Sequence, residues 1–170
     1  EAQWEWACRA GTATPFWFGG PGADYSQAAN LGDRTLAEFA ADTALDGYSD
    51  ARPMENPNRY DDWLPRDDRF DDGNLVTATV GSYQPNPWGL HDMHGNACEW
   101  TASPATAHPH QTAPTDSATD ERIVRGGSWR DRPQRATASF RLSYPQWQRP
   151  FNTGFRVIIS EPAPGKVSVQ

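Results

Sequence analysis

Three short strings of this sequence predict its fold. They are Trp88-Gly-Leu-His-Asp-Met-His-Gly-Asn-Ala-Cys-Glu-Trp100, Arg125-Gly-Gly-Ser-Trp129 and Asn152-Thr-Gly-Phe-Arg156. Glycine lets backbones approach closely or adopt positive φ, and Arg side chains hold loops together through hydrogen bonds to carbonyl and carboxylate groups. The strings therefore predict a fold built on ordered loops with short regular elements.

The composition of the whole chain agrees with a loop-rich globular domain. Its 170 residues include 14 Gly and 15 Pro, which favour turns, and eight Trp, which a disordered chain would lack. The 15 basic and 22 acidic residues give a net charge of −7, a balance that disfavours nucleic acid as a partner. No apolar run approaches the roughly 18 residues of a membrane-spanning helix, so no membrane span is expected.

Hydrophobic periodicity predicts only a few regular elements. Residues 1–9 read as a helix that Gly11 ends, and nothing precedes Glu1 to cap it, so we expect the chain to begin inside a helix of a longer protein. Short strands are predicted at 75–80, 123–129, 135–141 and 155–160, a helical turn or two at 35–48, and loops at 25–34 and 102–120.

With the opening Glu1-Ala-Gln-Trp-Glu-Trp-Ala-Cys-Arg-Ala-Gly11, the three strings resemble the formylglycine-generating enzyme (sulfatase-modifying factor) family over residues 1–158. The resemblance implies an α+β, C-type-lectin-like fold that is irregular and loop-rich, with short antiparallel strands, few helices and bound calcium. It implies one domain over residues 1–160, with its N-terminal part missing, followed by a C-terminal tail at 161–170. Four tryptophans inside the strings are expected to form much of the core: Trp4, Trp88, Trp100 and Trp129.

The resemblance also implies a first calcium site in the longest string. By position, its ligands would be the side chains of Asp92 and Glu99 and the carbonyl oxygens of Gly95 and Ala97. Hard cations prefer such closely spaced carboxylate and carbonyl oxygens in loops. Both side-chain ligands of this site are therefore present.

A second calcium site of the family uses an Asn-Ile pair and a later Asp-Gly-aromatic segment. Asn30 and Leu31 stand at the first place, and Asp72 and Asn74 stand at the second. Asn74 replaces the aromatic residue, but that ligand is a backbone carbonyl, so the replacement is compatible with binding. The remainder of the acidic stretch is interpreted as solvated surface.

The cysteine pattern departs from that of active family members, which hold copper with a cysteine pair shortly after Arg-Gly-Gly-Ser. Asp131 and Ala136 occupy those two positions here, so copper is not expected as a cofactor. The family disulfide partner of Cys8 is replaced by Val157, and Cys98 replaces a common Trp. Buried structural thiols are favoured for both cysteines, and a bridge between them is left open.

The segment after the second string has the arginine and aromatic content of a binding face. Its candidate residues are Arg130, Arg132, Phe140, Tyr144 and Trp147. We therefore favour a non-catalytic binding or scaffolding domain for a protein, peptide or glycan, with an accessory role in a larger assembly left open. The alternative is an oxidoreductase of the formylglycine-generating or sulfoxide-synthase type that acts with residues or domains absent from this chain. Calcium dependence favours a periplasmic or extracellular location.

Overall fold

The fold places one helix beside a small mixed sheet, with ordered loops between them. A computed structural model describes residues 1–35, 67, 69–105 and 120–159. In these ranges the elements are α1 (Ala2–Arg9), β1 (Cys98–Pro104), β2 (Glu121–Arg125), a 3₁₀ helix (Pro133–Ala136), β3 (Leu142–Pro145) and β4 (Thr153–Phe155).

The sheet has the strand order β3-β2-β1-β4. β1 pairs antiparallel with β2, and β2 pairs antiparallel with β3, whereas β4 runs parallel to β1. The irregular α+β architecture is confirmed. The prediction of antiparallel strands is confirmed for the β1–β2 and β2–β3 pairs. It is wrong for the β1–β4 pair, which is parallel.

The predicted N-terminal helix is present as α1. It ends where Ala10 takes a left-handed conformation with φ 45°, and Gly11 follows with φ 90°. Trp4 and Cys8, one turn apart, are buried together against Met93. The apolar face read from the sequence is therefore the face that packs on the core.

Two strand predictions are wrong. Residues 75–80 form no strand: they begin with a bend, continue as irregular backbone and end in a turn. Residues 135–141 begin inside the 3₁₀ helix Pro133–Ala136, because Pro133 occupies its first position, where a fixed φ favours a helical turn. The predicted helical turn at 35–48 lies outside the described residues, apart from Thr35.

The other strand predictions locate real strands but misplace their ends. β2 ends at Arg125 rather than continuing to Trp129, because Gly126 and Gly127 adopt φ of 94° and 69° and turn the chain. β4 overlaps the predicted 155–160 strand only at Phe155 and lies otherwise before it. β3 was not predicted. β1 was not predicted either, and it continues into the predicted loop at 102–120.

Among the described residues, the core contains two small clusters. One contains Phe16, Tyr25 and Leu31 with two alanines, and the other contains Trp4, Cys8, Met93 and Ala138. Of the four tryptophans expected in the core, only Trp4 is buried. Trp88 is 43% exposed and packs edge-to-face on the exposed Trp6, whereas Trp100 and Trp129 are half-buried. No helix among the described residues is long and apolar enough to cross a membrane.

Candidate functional site

The two predicted calcium-binding segments cross at one point of close backbone contact. Gly95 and Asn30 form an isolated parallel bridge, and the Asn96 N–H donates to the Asn30 carbonyl at 2.8 Å. Gly95 has φ 77°, and a Cβ at this position would lie 2.0 Å from the Asn30 carbonyl oxygen. Only glycine permits this crossing, which places the two segments side by side.

The residues predicted for the second site lie close together. The Leu31 N–H donates to Asp72 Oδ2 at 2.8 Å, and the Asn74 N–H donates to Asp72 Oδ1 at 3.0 Å. Asn30 is fully buried, and its Nδ2 donates to the Val76 carbonyl at 2.8 Å. Its Oδ1 is buried and has no hydrogen-bond donor among the described residues. A buried amide oxygen without a donor carries a desolvation cost that a cation would offset.

Burial gives Asp72 unusual electrostatics. Its loss of solvation, together with the nearby Asp33 charge, raises the pKa of Asp72 to about 7. The Asp72 N–H donates to Asp33 Oδ2 at 2.6 Å, and the Tyr83 hydroxyl donates to Asp72 Oδ1 at 3.2 Å. Sequence reasoning missed Asp33 and Tyr83, although Asp33 follows the Asn30-Leu31 pair by only two residues. A bound cation would favour the ionised form of this carboxyl.

The first predicted site is only partly available to a cation. Asp92 accepts the Gly81 N–H at 2.7 Å through Oδ2, and its Oδ1 is buried without a donor. Glu99 is already engaged, since Trp4 Nε1 donates to Oε2 at 2.7 Å and Arg156 Nη2 donates to Oε1 at 2.7 Å. Arg156 already neutralises the Glu99 carboxylate, whereas Asp72, whose oxygens also accept hydrogen bonds, forms no ion pair with a described residue. The second set therefore fits a cation better.

A cation in either place would depend on more than acidic side chains. In the described part of the chain, no group of three or more His, Cys, Asp or Glu side chains converges to hold a metal ion. Amide and backbone carbonyl oxygens would have to complete either shell, which is usual for calcium and unusual for transition metals.

The two positions at which the resemblance implies copper-binding cysteines have structural roles here. Asp131 Oδ2 accepts hydrogen bonds from the Ser128 N–H at 2.9 Å and from its hydroxyl at 2.5 Å. Ala136 is fully buried, and a Cβ on Gly127 would lie 2.8 Å from its Cβ. Asp131 thus stabilises its loop through hydrogen bonds, and the methyl group of Ala136 packs closely against the Gly127 backbone.

Neither cysteine is poised as a nucleophile or soft metal ligand. Both are free and buried, and burial raises the pKa of Cys8 and of Cys98 to about 12. Cys8 Sγ lies 3.5 Å from His94 Nε2, but burial lowers the pKa of His94 to about 4, so the pair is neutral at physiological pH. The bridge left open from the sequence is absent, and the buried-thiol interpretation is confirmed.

The residues predicted as a binding face divide into two groups. Trp147 is 73% exposed and Arg132 is also exposed, so both face solvent. Phe140 and Tyr144 are half-buried, and the Tyr144 ring lies 6.1 Å from Trp100, which makes them partly packing residues.

Phe151 joins the solvent-facing group and was missed from the sequence. It is 72% exposed, and the guanidinium carbon of Arg130 lies 4.9 Å from its ring centroid. This contact ties the loop after β2 to the loop before β4. The only sequence signal was an aromatic residue directly before the third string.

Comparisons with known proteins agree with this architecture. The chain matches the family model for the sulfatase-modifying factor enzyme 1-like domain over residues 1–161. It is 34% identical over 139 residues to the inactive C-alpha-formylglycine-generating enzyme 2 of Mus musculus, covering 75% of this chain and 42% of that protein. For the Bos taurus protein of the same name, identity is 34% over 131 residues, covering 70% and 40%.

A solved structure shows the same fold. The structure of PvdO from Pseudomonas aeruginosa aligns with a TM-score of 0.57 and 25% identity, covering 91% of this chain and 48% of that one. The chain thus spans less than half the length of these relatives.

Proposed function

The chain belongs to the sulfatase-modifying factor enzyme 1-like domain family, and on that premise we propose that it is a non-catalytic binding or scaffolding domain stabilised by calcium. The observation that carries the proposal is the pair of positions 131 and 136. Active members of the family place two copper-binding cysteines there, whereas this chain places Asp131 and Ala136.

The chemistry of these two side chains does not suit Cu(I). A soft ion prefers thiolates, and a carboxylate is a hard ligand while a methyl group is no ligand. The Asp131 carboxylate is also occupied by two hydrogen bonds from Ser128. Cys98 Sγ lies 3.8 Å from Asp131 Oδ2, but its raised pKa keeps it a thiol. The names of the curated relatives, which describe inactive enzymes, support the same conclusion.

A copper-dependent assay tests the absence of catalysis. The full chain, supplied with Cu(I), oxygen and a cysteine-containing peptide, is expected to leave the peptide unchanged by mass spectrometry. Competition with a chromophoric Cu(I) chelator should show no tight site in the chain. The double variant Asp131→Cys/Ala136→Cys should compete for Cu(I), because it restores a thiol pair. Catalytic conversion of the peptide by the unaltered chain would contradict the proposal.

Calcium is proposed as a structural ion held chiefly by the second site. Asn30 and Asp72 would supply side-chain oxygens, and Leu31 and Asn74 would supply carbonyls. Support comes from the unsatisfied Asn30 Oδ1 and from a buried carboxyl whose ionised form needs a compensating charge. The first site would use Asp92 Oδ1, which is also unsatisfied, with Gly95, Ala97 and Glu99. The ion would tie loops together and take no part in chemistry.

Calcium is expected to raise the melting temperature, and Asp72→Asn should remove much of that shift. A ligand at about 100 times its Kd stabilises by about 2.7 kcal/mol, which corresponds to a shift of about 5 °C or more for a chain of this size. The control is Asp71→Asn, which neutralises an exposed neighbouring carboxylate paired with Arg34. Differential scanning calorimetry with calcium and with chelator measures the shift. No heat on titration, with stability indifferent to chelator, would contradict both calcium sites.

The partner of the domain is proposed to be bound by its solvent-facing arginines and aromatic rings. Arg and aromatic residues are enriched in protein interfaces, and exposed rings such as Trp147 bury large areas at low entropic cost. A periplasmic or extracellular setting, where calcium is abundant, would keep calcium sites of this loop type filled.

A further inference from the structure

An unusual charge asymmetry marks one part of this acidic chain. Residues 129–156 contain six arginines and a single acidic residue, although the whole chain has 22 acidic and 15 basic residues. Two of these arginines serve the fold, since Arg141 binds Glu1 at 2.6 Å and Arg156 binds Glu99 at 2.7 Å. The segment therefore carries more arginines than these two ion pairs involve.

Three of the remaining arginines and two exposed rings lie on two loops that contact each other. We define this arginine–aromatic face as Arg130, Arg132, Trp147, Arg149 and Phe151. Arg132 and Arg149 are exposed and make no ion pair with any residue that the structure describes. The stacking of Arg130 on Phe151 joins the two loops that carry the face.

The only acidic residue of this segment does not neutralise the face. The Asp131 side chain is 14% exposed, and its oxygens are directed to Ser128 and towards Arg135, 3.8 Å away. The positive charges of Arg132 and Arg149 therefore lie at exposed side chains, where they attract an anionic ligand.

From this arrangement we infer that the arginine–aromatic face binds an acidic polypeptide segment that also carries apolar side chains. This inference rests on the proposed binding function and specifies its partner. Arginine forks match carboxylates, and the rings of Trp147 and Phe151, 73% and 72% exposed, offer apolar contact beside them. A long polyanion such as nucleic acid fits less well, because the rest of this chain, with a net charge of −7 overall, would repel it.

Fluorescence anisotropy with two synthetic peptides tests the inference on the full chain. One labelled peptide of about 12 residues alternates Glu with Leu and Phe, and its counterpart has Lys for every Glu. The acidic peptide should bind at least about tenfold more tightly, and its affinity should fall between about 50 mM and about 300 mM NaCl, where charges are increasingly screened. Equal affinity for the two peptides, or no binding of either, would overturn the inference.

Three single variants with the same charge change locate the site. Arg132→Glu and Arg149→Glu should each weaken acidic-peptide binding about three- to tenfold. Arg69→Glu is the control, because Arg69 is exposed on another loop and pairs with Asp67. Identical behaviour of all three would show that net charge, not this face, attracts the peptide, and the inference would be wrong.

Two further results separate this inference from the proposed function. If Trp147→Ala weakens both peptides equally while the arginine variants bind normally, the face binds without charge selection. The acidic partner is then wrong and the binding domain stands. Tighter binding of a single-stranded oligonucleotide of similar charge would replace the polypeptide with nucleic acid and also overturn the inference.

Discussion

Gly95→Ala is expected to destabilise the protein by about 4 kcal/mol or more, which approaches the whole stability of many domains. A Cβ at position 95 would lie 2.0 Å from the Asn30 carbonyl oxygen and 2.9 Å from Leu31 Cδ2. The backbone oxygen cannot move away without breaking its hydrogen bond from the Asn96 N–H. Urea unfolding followed by tryptophan fluorescence measures the loss.

A second glycine separates steric overlap from backbone strain. Gly89 has φ 79°, nearly the same as the 77° of Gly95, but a Cβ there meets no heavy atom within 4 Å. Gly89→Ala should therefore cost only the left-handed backbone penalty, about 1–2 kcal/mol. Equal unfolding midpoints for the two variants would show that a Cβ at position 95 does not clash with the Asn30 carbonyl oxygen.

Arg125→Met is expected to cost about 3–5 kcal/mol, because the carboxylate and carbonyl partners of this buried guanidinium of β2 lose their common donor. The guanidinium binds Glu1 Oε1 at 2.7 Å and Glu5 Oε2 at 2.8 Å, and it also donates to the Ala138 carbonyl. Its carbon lies 5.3 Å from the Trp4 ring. Arg125→Lys should recover only part of the lost stability. A lysine ammonium group lacks the planar set of donors with which the guanidinium binds all three partners at once.

Arg9→Met is the matched control for this prediction. Arg9 binds the same Glu5 at 2.8 Å, but its side chain is 27% exposed, and such surface pairs contribute about 0–1 kcal/mol. Chemical denaturation at neutral pH should place its midpoint close to that of the unaltered chain. If the two methionine variants unfold at the same denaturant concentration, Arg125 is not the anchor that its contacts imply.

The family and several candidate site residues could be predicted from the sequence because each belongs to a short contiguous motif. The helix α1 also follows from local information, since the spacing of Trp4 and Cys8 already defines its buried face. The sequence could not reveal that Glu99 would be engaged by Trp4 and Arg156, residues 95 and 57 positions away. A ligand motif therefore indicates which oxygens are present, but not which of them remain available.

The strand errors have a related cause. β1 begins inside the string that was interpreted as a calcium motif, and it pairs with β4, which follows β2 and β3 in the chain, so that Glu99 lies opposite Gly154. β3, with every residue half-buried, has no alternating pattern that would identify it. Short strands in such a sheet are defined by their hydrogen-bonding neighbours more than by their own residues.

Residue type and local spacing were sufficient to predict the family, the short helix, the loop-rich composition and the lack of cysteines at positions 131 and 136. The tertiary contacts alone show that Asn30 Oδ1 and Asp92 Oδ1 have no donor among the described residues, and that Arg125 is buried against Glu1, 124 positions away. It also brought Arg130 onto Phe151 and so made one surface of two loops. These features depend on contacts between distant segments, and such contacts form only when the whole chain packs together.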